Sequence, residues 1–215
     1  MISASLECIF VHIPKCAGTS IESLLWPGER GPDQLWGGFI DPFHNRFQTG
    51  GLQHLHAEQI RTVVGTVTFN SFFKFAVVRN PFDRAVSQFV YLERRPDLRT
   101  YLGLSEGASF DEYLELVNGV IHVQWEPQHA FLTDRKTGEL LVDQVIRFER
   151  LVPEMSQVLE VLGVKCKSFP HLNAGVRGHY REWYTKRRRK AVEDFYAKDL
   201  EFLNYEFRNQ SSSNS

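Results

Sequence analysis

The sequence predicts a single α/β domain in which a central parallel β-sheet is flanked by helices. Two short, mostly apolar runs have the length and composition of buried strands, a third strand of mixed composition follows them, and helical patterns alternate with these strands. Strands that alternate with helices form a parallel sheet covered on both faces. The 215 residues suffice for one domain with a sizeable core and are few for two. We therefore expect one domain over residues 1–208 and a disordered tail over residues 209–215, whose sequence is NQSSSNS.

The predicted strands and helices follow one another along the chain. The strands are residues 8–13, 72–78 and 143–148, and Pro14 and Pro81 end the first two. Hydroxyl-rich starts and apolar residues at helical spacing indicate the helices. These helices cover residues 19–25, 56–64, 83–95, 110–117, 125–132, 152–162 and 183–203. Residues 28–52, rich in Gly, Pro, Asp and aromatic side chains, form a long loop.

Composition excludes several classes of function. The formal net charge is -1, so no overall field attracts nucleic acid or an anionic membrane, and any anion site must be local. Three cysteines without a CxxC spacing argue against a disulfide framework and a zinc site. No segment approaches the ~18 consecutive apolar residues of a membrane helix. A basic run, residues 186–190, lies among acidic residues and is interpreted as a solvated helix face rather than a nucleic-acid signal.

The segment between the first strand and the first helix is the most informative. Its sequence, IPKCAGTS, leads directly into a helix N-terminus, where unpaired N–H groups and a partial positive charge suit a phosphate or sulfate. Gly18 allows close approach of the backbone, and Lys15 adds a mobile positive charge. The order is not that of a Walker loop, because Lys15 precedes Gly18. A solvated helix cap is the alternative interpretation of this loop alone.

A second strand end repeats this logic in the sequence VVRNPFDRAVS. Arg79 can present a two-pronged guanidinium to a phosphate, and Ser87 lies one or two helical turns further on. Taken singly, Arg79 is better interpreted as a salt-bridge residue and Ser87 as a helix-face residue. Two anion loops at strand ends, however, suit a ligand that carries phosphates at both ends.

These residues carry a family resemblance. IPKCAGTS resembles the 5′-phosphosulfate loop of sulfotransferases that use 3′-phosphoadenosine 5′-phosphosulfate (PAPS), and VVRNPFDRAVS resembles their 3′-phosphate loop. The similarity is greatest to the carbohydrate branch, with its heparan 2-O- and chondroitin-type enzymes and small bacterial relatives. QHLHAEQI, EPQHAFL and IRFERL resemble further segments of that branch, so the resemblance covers roughly residues 8–205. It implies a P-loop-like sheet.

The resemblance also implies roles for individual residues. The first loop would hold the 5′-phosphosulfate through Lys15, Cys16, Ala17, Gly18, Thr19 and Ser20. Arg79 and Ser87 would hold the 3′-phosphate, and Arg177 lies where relatives often bring a basic residue to the nucleotide, although it is equally interpreted as an exposed loop arginine. The implied reaction moves the sulfuryl group of PAPS to an acceptor hydroxyl, leaves 3′-phosphoadenosine 5′-phosphate (PAP), and needs no metal.

A base for the acceptor hydroxyl should be a histidine or a carboxylate with a pKa within reach of neutrality. His54 matches the histidine that is the base in the carbohydrate branch, and His56, two residues on, is the alternative. His12 is expected to pack or to form hydrogen bonds. Glu126 and Gln128 are candidates for the acceptor cleft, or simply the start of a helix, and Glu149 is expected to make a structural hydrogen bond near the loops.

Two other functions stay open at this stage: a P-loop kinase that uses ATP and Mg²⁺, and a non-catalytic PAP-binding module. The acceptor is expected to be a saccharide or another small molecule with a hydroxyl, selected by residues 28–51. His56 stands where relatives have a threonine. Golgi relatives carry a membrane anchor and often disulfides, which this sequence does not show, so we expect a cytoplasmic, bacterial-type enzyme; a Golgi-lumen enzyme whose anchor has been removed is the alternative.

Overall fold

The computed structural model describes residues 1–38, 51–165 and 178–207. Within these ranges four strands form one sheet in the order β1-β2-β3-β4. They are β1 Ile2–Ser3, β2 Cys8–Val11, β3 Phe73–Val78 and β4 Gln144–Arg147. The predicted tail and Arg177 lie outside the described residues, as do residues 39–50 of the predicted long loop.

The predicted parallel sheet is confirmed. Val11 of β2 pairs with Ala76 of β3, and Val78 of β3 pairs with Arg147 of β4, in both cases between parallel strands. The short β1 adds an antiparallel edge to β2. This edge strand was not predicted, because two residues give no periodic signal.

The helices lie between and after the strands. Their bounds are α1 Gly18–Leu25, α2 Ala57–Val64, α3 Thr66–Ser71, α4 Pro81–Glu93, α5 Pro96–Tyr101, α6 Phe110–Gly119, α7 Gln128–Leu132, α8 Leu151–Val161, α9 Lys186–Phe195 and α10 Ala197–Phe202. Short 3₁₀ turns occupy Pro32–Gln34, Leu52–His54, Phe148–Arg150 and Tyr180–Trp183. None of the helices in the described ranges has the length and apolar character needed to cross a membrane.

Two apolar clusters form the core. The first surrounds the sheet, and every residue of β2 is buried, which means that both faces of the sheet are covered. The second cluster joins α4, α6 and α9 through residues such as Phe82, Tyr113 and Val192. Helix α4 therefore packs against the second cluster and presents its opposite face to the carboxyl edge of the sheet.

One helical prediction was wrong, and two helices were missed. Residues 183–203 form two helices rather than one, because buried Tyr196 leaves helical geometry and donates a hydrogen bond from its hydroxyl to the Trp125 carbonyl at 2.7 Å. Helices α3 and α5 were not predicted. Helix α3 is rich in β-branched and polar residues with weak helical propensity, and burial of Phe69 offsets that weakness.

The basic run lies at the start of α9, as the prediction of a helix face requires. Arg188 donates two hydrogen bonds to the Asp111 carboxylate, at 3.0 and 2.6 Å. Arg189 pairs with Glu193, and Lys190 pairs with Asp194, each one turn further along the helix. Neighbouring carboxylates thus neutralise much of the run's positive charge.

Candidate active site

A cleft of about 1200 Å³ opens at the carboxyl edge of the sheet. Because β2, β3 and β4 are parallel, the segments that follow them emerge at the same edge. The lining of the cleft comes mainly from within four segments, residues 12–20, 79–95, 147–153 and 178–181. The two predicted anion loops are therefore brought together in one cavity.

Positive charge dominates the lining of this cleft. Its described lining contains seven cationic side chains but only two carboxylates, Asp83 and Glu149. The cationic residues are Lys15, Arg79, Arg94, Arg95, Arg147, Arg150 and Arg181. In a chain whose net charge is -1, this concentration creates a strong local field for an anion with several charges.

The first loop adopts a backbone shape suited to an anion. Lys15 and Ala17 both have positive φ angles, 69° and 62°, and Ala17 directly precedes the helical Gly18. A left-handed residue followed by a helical one forms a concave nest of backbone N–H groups. Gly18 is required here, because a Cβ atom on it would lie 1.7 Å from Nε2 of His12.

The side chains of the first loop divide between cleft and core. The Lys15 ammonium lies 3.8 Å from the centroid of the Tyr91 ring, and the Tyr91 hydroxyl accepts a hydrogen bond from Arg95 at 2.6 Å. Gly18, Thr19 and Ser20 also line the cleft. Cys16 points away into the core, where burial raises the pKa of its thiol to about 11. Its predicted place in the ligand site is thus limited to its backbone.

Arg79 connects the second loop to the first. Its Nε donates to Asp83 at 2.7 Å and its Nη1 donates to the Lys15 carbonyl at 3.0 Å. The guanidinium carbon also lies 3.9 Å from the centroid of the Phe148 ring. Arg79 is therefore both a wall of the cleft and a tie between the loops.

Helix α4 presents one face to the cleft. Asp83, Ser87, Tyr91 and Arg94 all line it, at the spacing of three or four residues that places side chains on one side of a helix. The Asn80 side chain caps the helix by accepting a hydrogen bond from the Phe82 N–H at 3.1 Å. Ser87 therefore lies on the same wall of the cavity as Tyr91, the residue that Lys15 of the first loop contacts.

His54 has the geometry of a neutral base at the cleft. Its Nδ1 lies 3.0 Å from the His12 carbonyl oxygen. Because a carbonyl only accepts, Nδ1 carries the proton and Nε2 has a free lone pair. The two histidine rings are 4.5 Å apart, and both line the cleft. Burial, with a smaller contribution from His12, lowers the pKa of His54 to about 3, well below the range in which a base is most effective at neutral pH. The position and tautomer of the ring, and not this pKa, are what favour His54 as a base.

His12 is held by Glu22 of α1. The His12 Nδ1 lies 3.0 Å from one carboxylate oxygen of Glu22. Trp36 and Arg30 approach the other oxygen of the same carboxylate. Burial raises the pKa of Glu22, but the contacts with His12, Trp36 and Arg30 outweigh burial and leave that pKa below its ordinary value. His12 thus packs and forms polar contacts, as the sequence predicted. It lies beside His54, and its carbonyl fixes the tautomer of the His54 ring.

The lowered pKa of His54 predicts a pH-dependent stability. Between pH about 6.5 and about 3 the unfolded chain binds a proton at this position that the folded chain does not, so stability falls as pH falls. The difference in free energy of unfolding between the wild type and His54→Gln should shrink by up to about 1.4 kcal/mol per pH unit in that window. Urea denaturation at several pH values measures this difference. Parallel curves for wild type and His54→Gln would contradict the prediction.

His56 does not line the cleft. Arg135 donates to its Nδ1 at 2.8 Å, so its Nε2 carries the proton and donates to Glu126 at 3.0 Å. The ring is buried against Phe131, and the residue caps helix α2. Both ring nitrogens are therefore engaged in contacts away from the cavity, and of the two candidate bases the structure places only His54 at the cleft.

The EPQ segment also lies under the loops rather than in the cleft. Gln128 is fully buried, and Glu126 is occupied by His56, so neither lines the cavity. Pro127 precedes α7, which agrees with the alternative prediction of a helix start. Glu149 makes the expected structural hydrogen bonds, accepting from the Asn80 N–H at 2.8 Å and the Tyr205 hydroxyl at 2.7 Å.

Two important arginines were not identified from the sequence. Arg84, only 2% exposed, donates to the carbonyls of Pro14, Glu126 and Gln124 and so fixes the first loop. Arg181 lines the cleft, and its buried Nε has no hydrogen-bond partner among the described residues. Arg84 is the second arginine of the segment RNPFDR, and its place one turn into the helix after the second loop could have identified it. No sequence pattern distinguishes Arg181 from its basic neighbours.

Neither the cavity nor the rest of the described chain contains a group of three His, Cys, Asp or Glu side chains arranged to hold a metal ion. What the fold and cleft provide is a site for a polyanionic ligand at the carboxyl ends of parallel strands. The family model described as "Sulfotransferase family" matches residues 1–206. The chain belongs to the sulfotransferase family.

Solved and curated proteins add little to this assignment. A sulfotransferase from Alicyclobacillus acidocaldarius is 17% identical, with a TM-score of 0.32. The match covers 75% of this chain and 63% of that protein, so the chain spans less than two thirds of its length. No curated protein matches the chain.

Proposed function

We propose that this protein transfers the sulfuryl group of PAPS to a hydroxyl group of an acceptor. The observation that carries the proposal is the single cleft in which both anion loops meet, lined by seven cationic side chains and two carboxylates. PAPS has charged groups at its 5′ and 3′ ends and needs two such loops. The buried Nε of Arg181 in the same wall, which has no hydrogen-bond partner in the described part of the chain, is a further donor for an anion.

Each loop takes one end of the nucleotide. The nest at Ala17–Gly18, with Lys15, Thr19 and Ser20, binds the 5′-phosphosulfate. Arg79 and Ser87 bind the 3′-phosphate, which distinguishes PAPS from ordinary adenylates. Cys16 contributes only its backbone, since its thiol lies in the core.

His54 and Lys15 have complementary roles in the transfer. His54 Nε2 accepts the proton of the acceptor hydroxyl while that oxygen forms a bond to sulfur. The bond from sulfur to the bridging oxygen of the 5′-phosphate breaks, and the electron pair leaves with PAP. Lys15 neutralises the negative charge that develops on this bridging oxygen.

The acceptor is proposed to be a saccharide or another small molecule with a hydroxyl, as the resemblance to the carbohydrate branch implies. A kinase is less favoured, because Lys15 precedes Gly18 and the loop lacks the Walker order. A non-catalytic module is less favoured, because His54 presents an unprotonated Nε2 beside the anion loops.

Calorimetry with PAP, adenosine 5′-monophosphate and ATP with Mg²⁺ tests the donor site. We expect PAP to bind about 100-fold more tightly than the monophosphate, since charge-assisted hydrogen bonds contribute about 1.5–3 kcal/mol each. Ser87→Ala should reduce this preference about tenfold while leaving the monophosphate affinity nearly unchanged. Arg79→Lys should reduce it as well, but with some loss of monophosphate affinity, because Arg79 also donates to the Lys15 carbonyl of the first loop. Equal affinity for PAP and the monophosphate, or a preference for ATP with Mg²⁺, would refute the proposal.

A further inference from the structure

A buried glutamine lies between the two anion loops. Gln128 is fully buried, and its amide makes two hydrogen bonds with the main chain of Arg79. Its Oε1 accepts from the Arg79 N–H and its Nε2 donates to the Arg79 carbonyl, both at 2.8 Å. The same Oε1 accepts a longer contact of 3.5 Å from the Cys16 thiol of the first loop. One amide group thus contacts both loops.

The Gln128 amide provides hydrogen-bond partners for the main chain of Arg79 at a position where the sheet no longer does. The pairing of β2 with β3 ends at Val11, opposite Ala76, three residues before Arg79. Beyond that point the Gln128 amide, which donates and accepts like a peptide group, takes the place of a neighbouring strand. It therefore holds the second loop in register with the edge of the sheet from which the first loop emerges.

Gln128 is itself fixed from the C-terminal part of the chain. Asp199 of α10 is fully buried, and its carboxylate accepts the backbone N–H groups of Gln128 and His129 at 2.7 and 2.8 Å. It also lies 2.7 Å from His129 Nδ1. The N-terminus of α7 is thereby locked, and the Gln128 side chain projects from a rigid base.

We propose that Gln128, held by Asp199, is a positioning residue that sets the separation of the two anion loops. The inference rests on the proposed function, because the separation matters only to a ligand that binds both loops at once. For such a ligand the second contact is intramolecular, and its benefit disappears when the two sites no longer match the ligand's span. Gln128 does not line the cleft, so it acts on the ligand through Arg79 and Cys16.

The test compares a two-ended ligand with two one-ended ligands. Calorimetry is carried out with PAP, adenosine 5′-monophosphate and adenosine 3′-monophosphate on wild type, Gln128→Leu, Gln128→Asn and Asp199→Asn. In the Gln128 variants, PAP affinity should fall roughly tenfold or more beyond the loss for either monophosphate. Asp199→Asn should show the same pattern with a smaller change.

Gln88→Leu is the matched control. Gln88 is also a buried glutamine, 1% exposed, but its amide has no hydrogen-bond partner among the described residues and it does not line the cleft. This variant should bind all three ligands like the wild type and should melt at a higher temperature, because it removes a buried unpaired amide.

The outcomes separate the two proposals. If wild type prefers PAP and every folded variant at Gln128 or Asp199 keeps the same preference, the positioning role is overturned while the donor site stands. If wild type itself binds PAP no better than the monophosphates, the proposed function fails and the inference falls with it. Should Gln128→Leu not fold, Gln128→Asn and Asp199→Asn carry the same comparison.

Discussion

Lys15→Met should lower the rate of sulfuryl transfer about 100- to 1,000-fold, the usual cost of removing one preorganised charge donor from a transition state. Lys15 lies in the left-handed backbone region of the first loop and points its ammonium into the cleft, against Tyr91. Methionine keeps the length of the side chain and removes the charge. Release of PAP from PAPS, followed by chromatography with a panel of hydroxyl acceptors, measures the rate.

Two comparisons make this prediction specific. Lys186→Met changes an exposed lysine outside the cleft and should leave the rate unchanged. Lys15→Arg keeps the charge but changes its geometry, and it should retain more activity than Lys15→Met. A Lys15→Met enzyme as fast as the wild type would show that Lys15 does not stabilise the leaving phosphate.

The architecture of the sheet was predictable because it depends on short-range patterns. The runs that became β2 and β3 are almost entirely apolar, with Lys74 the one charged residue in them, and a proline or an asparagine-proline pair ends both. Strand β4 gives a weaker signal, because Gln144 and Arg147 flank its apolar pair Val145 and Ile146. Helix breaks were less predictable. Tyr196 continues the helical pattern of residues 183–203, yet its backbone leaves helical geometry where its hydroxyl reaches the Trp125 carbonyl, and α9 begins only at Lys186, after the Thr185 cap.

The strand-to-helix geometry of the two loops was also predictable, since each joins a strand to a helix in consecutive residues. The partners beneath them were not. Gln128 reaches Arg79 across 49 positions, and Asp199 reaches Gln128 across 71. No local period connects such pairs, so the sequence indicated Gln128 as a candidate for the cleft, although it lies beneath it.

The choice between the two histidines shows the same limit. His54 and His56 are separated by one residue, and residue type alone gives both the same chemistry. The difference comes from distant partners: the His12 carbonyl leaves His54 with a free Nε2, whereas Arg135 and Glu126 engage both nitrogens of His56. The hydrogen-bond partners of each ring, not the residue type, decide which histidine presents an unprotonated nitrogen to the cleft.

Arg84→Met should destabilise the fold by on the order of 3–5 kcal/mol, because it leaves three carbonyl oxygens without their donor. The guanidinium donates to Pro14 at 3.0 Å, to Glu126 at 2.9 Å and to Gln124 at 3.3 Å, and the residue is 2% exposed. For a chain of this length the loss corresponds to a melting temperature lower by roughly 10–15 °C. Thermal and urea denaturation measure it.

The exposed Arg187, which pairs with Glu115 at the surface, is the matched control, and Arg187→Met should change stability by less than about 0.5 kcal/mol. Arg84→Lys keeps the positive charge but cannot reach three carbonyls in different directions, so its stability should lie between those of the wild type and Arg84→Met.

If Arg84→Met melts at the same temperature as the wild type, the three carbonyls do not depend on this side chain. If it melts early but binds PAP as tightly as the wild type where it is still folded, Arg84 supports the fold without shaping the loop. Because Pro14 directly precedes Lys15, we expect both losses together: release of the Pro14 carbonyl frees the backbone that holds the ammonium in the cleft.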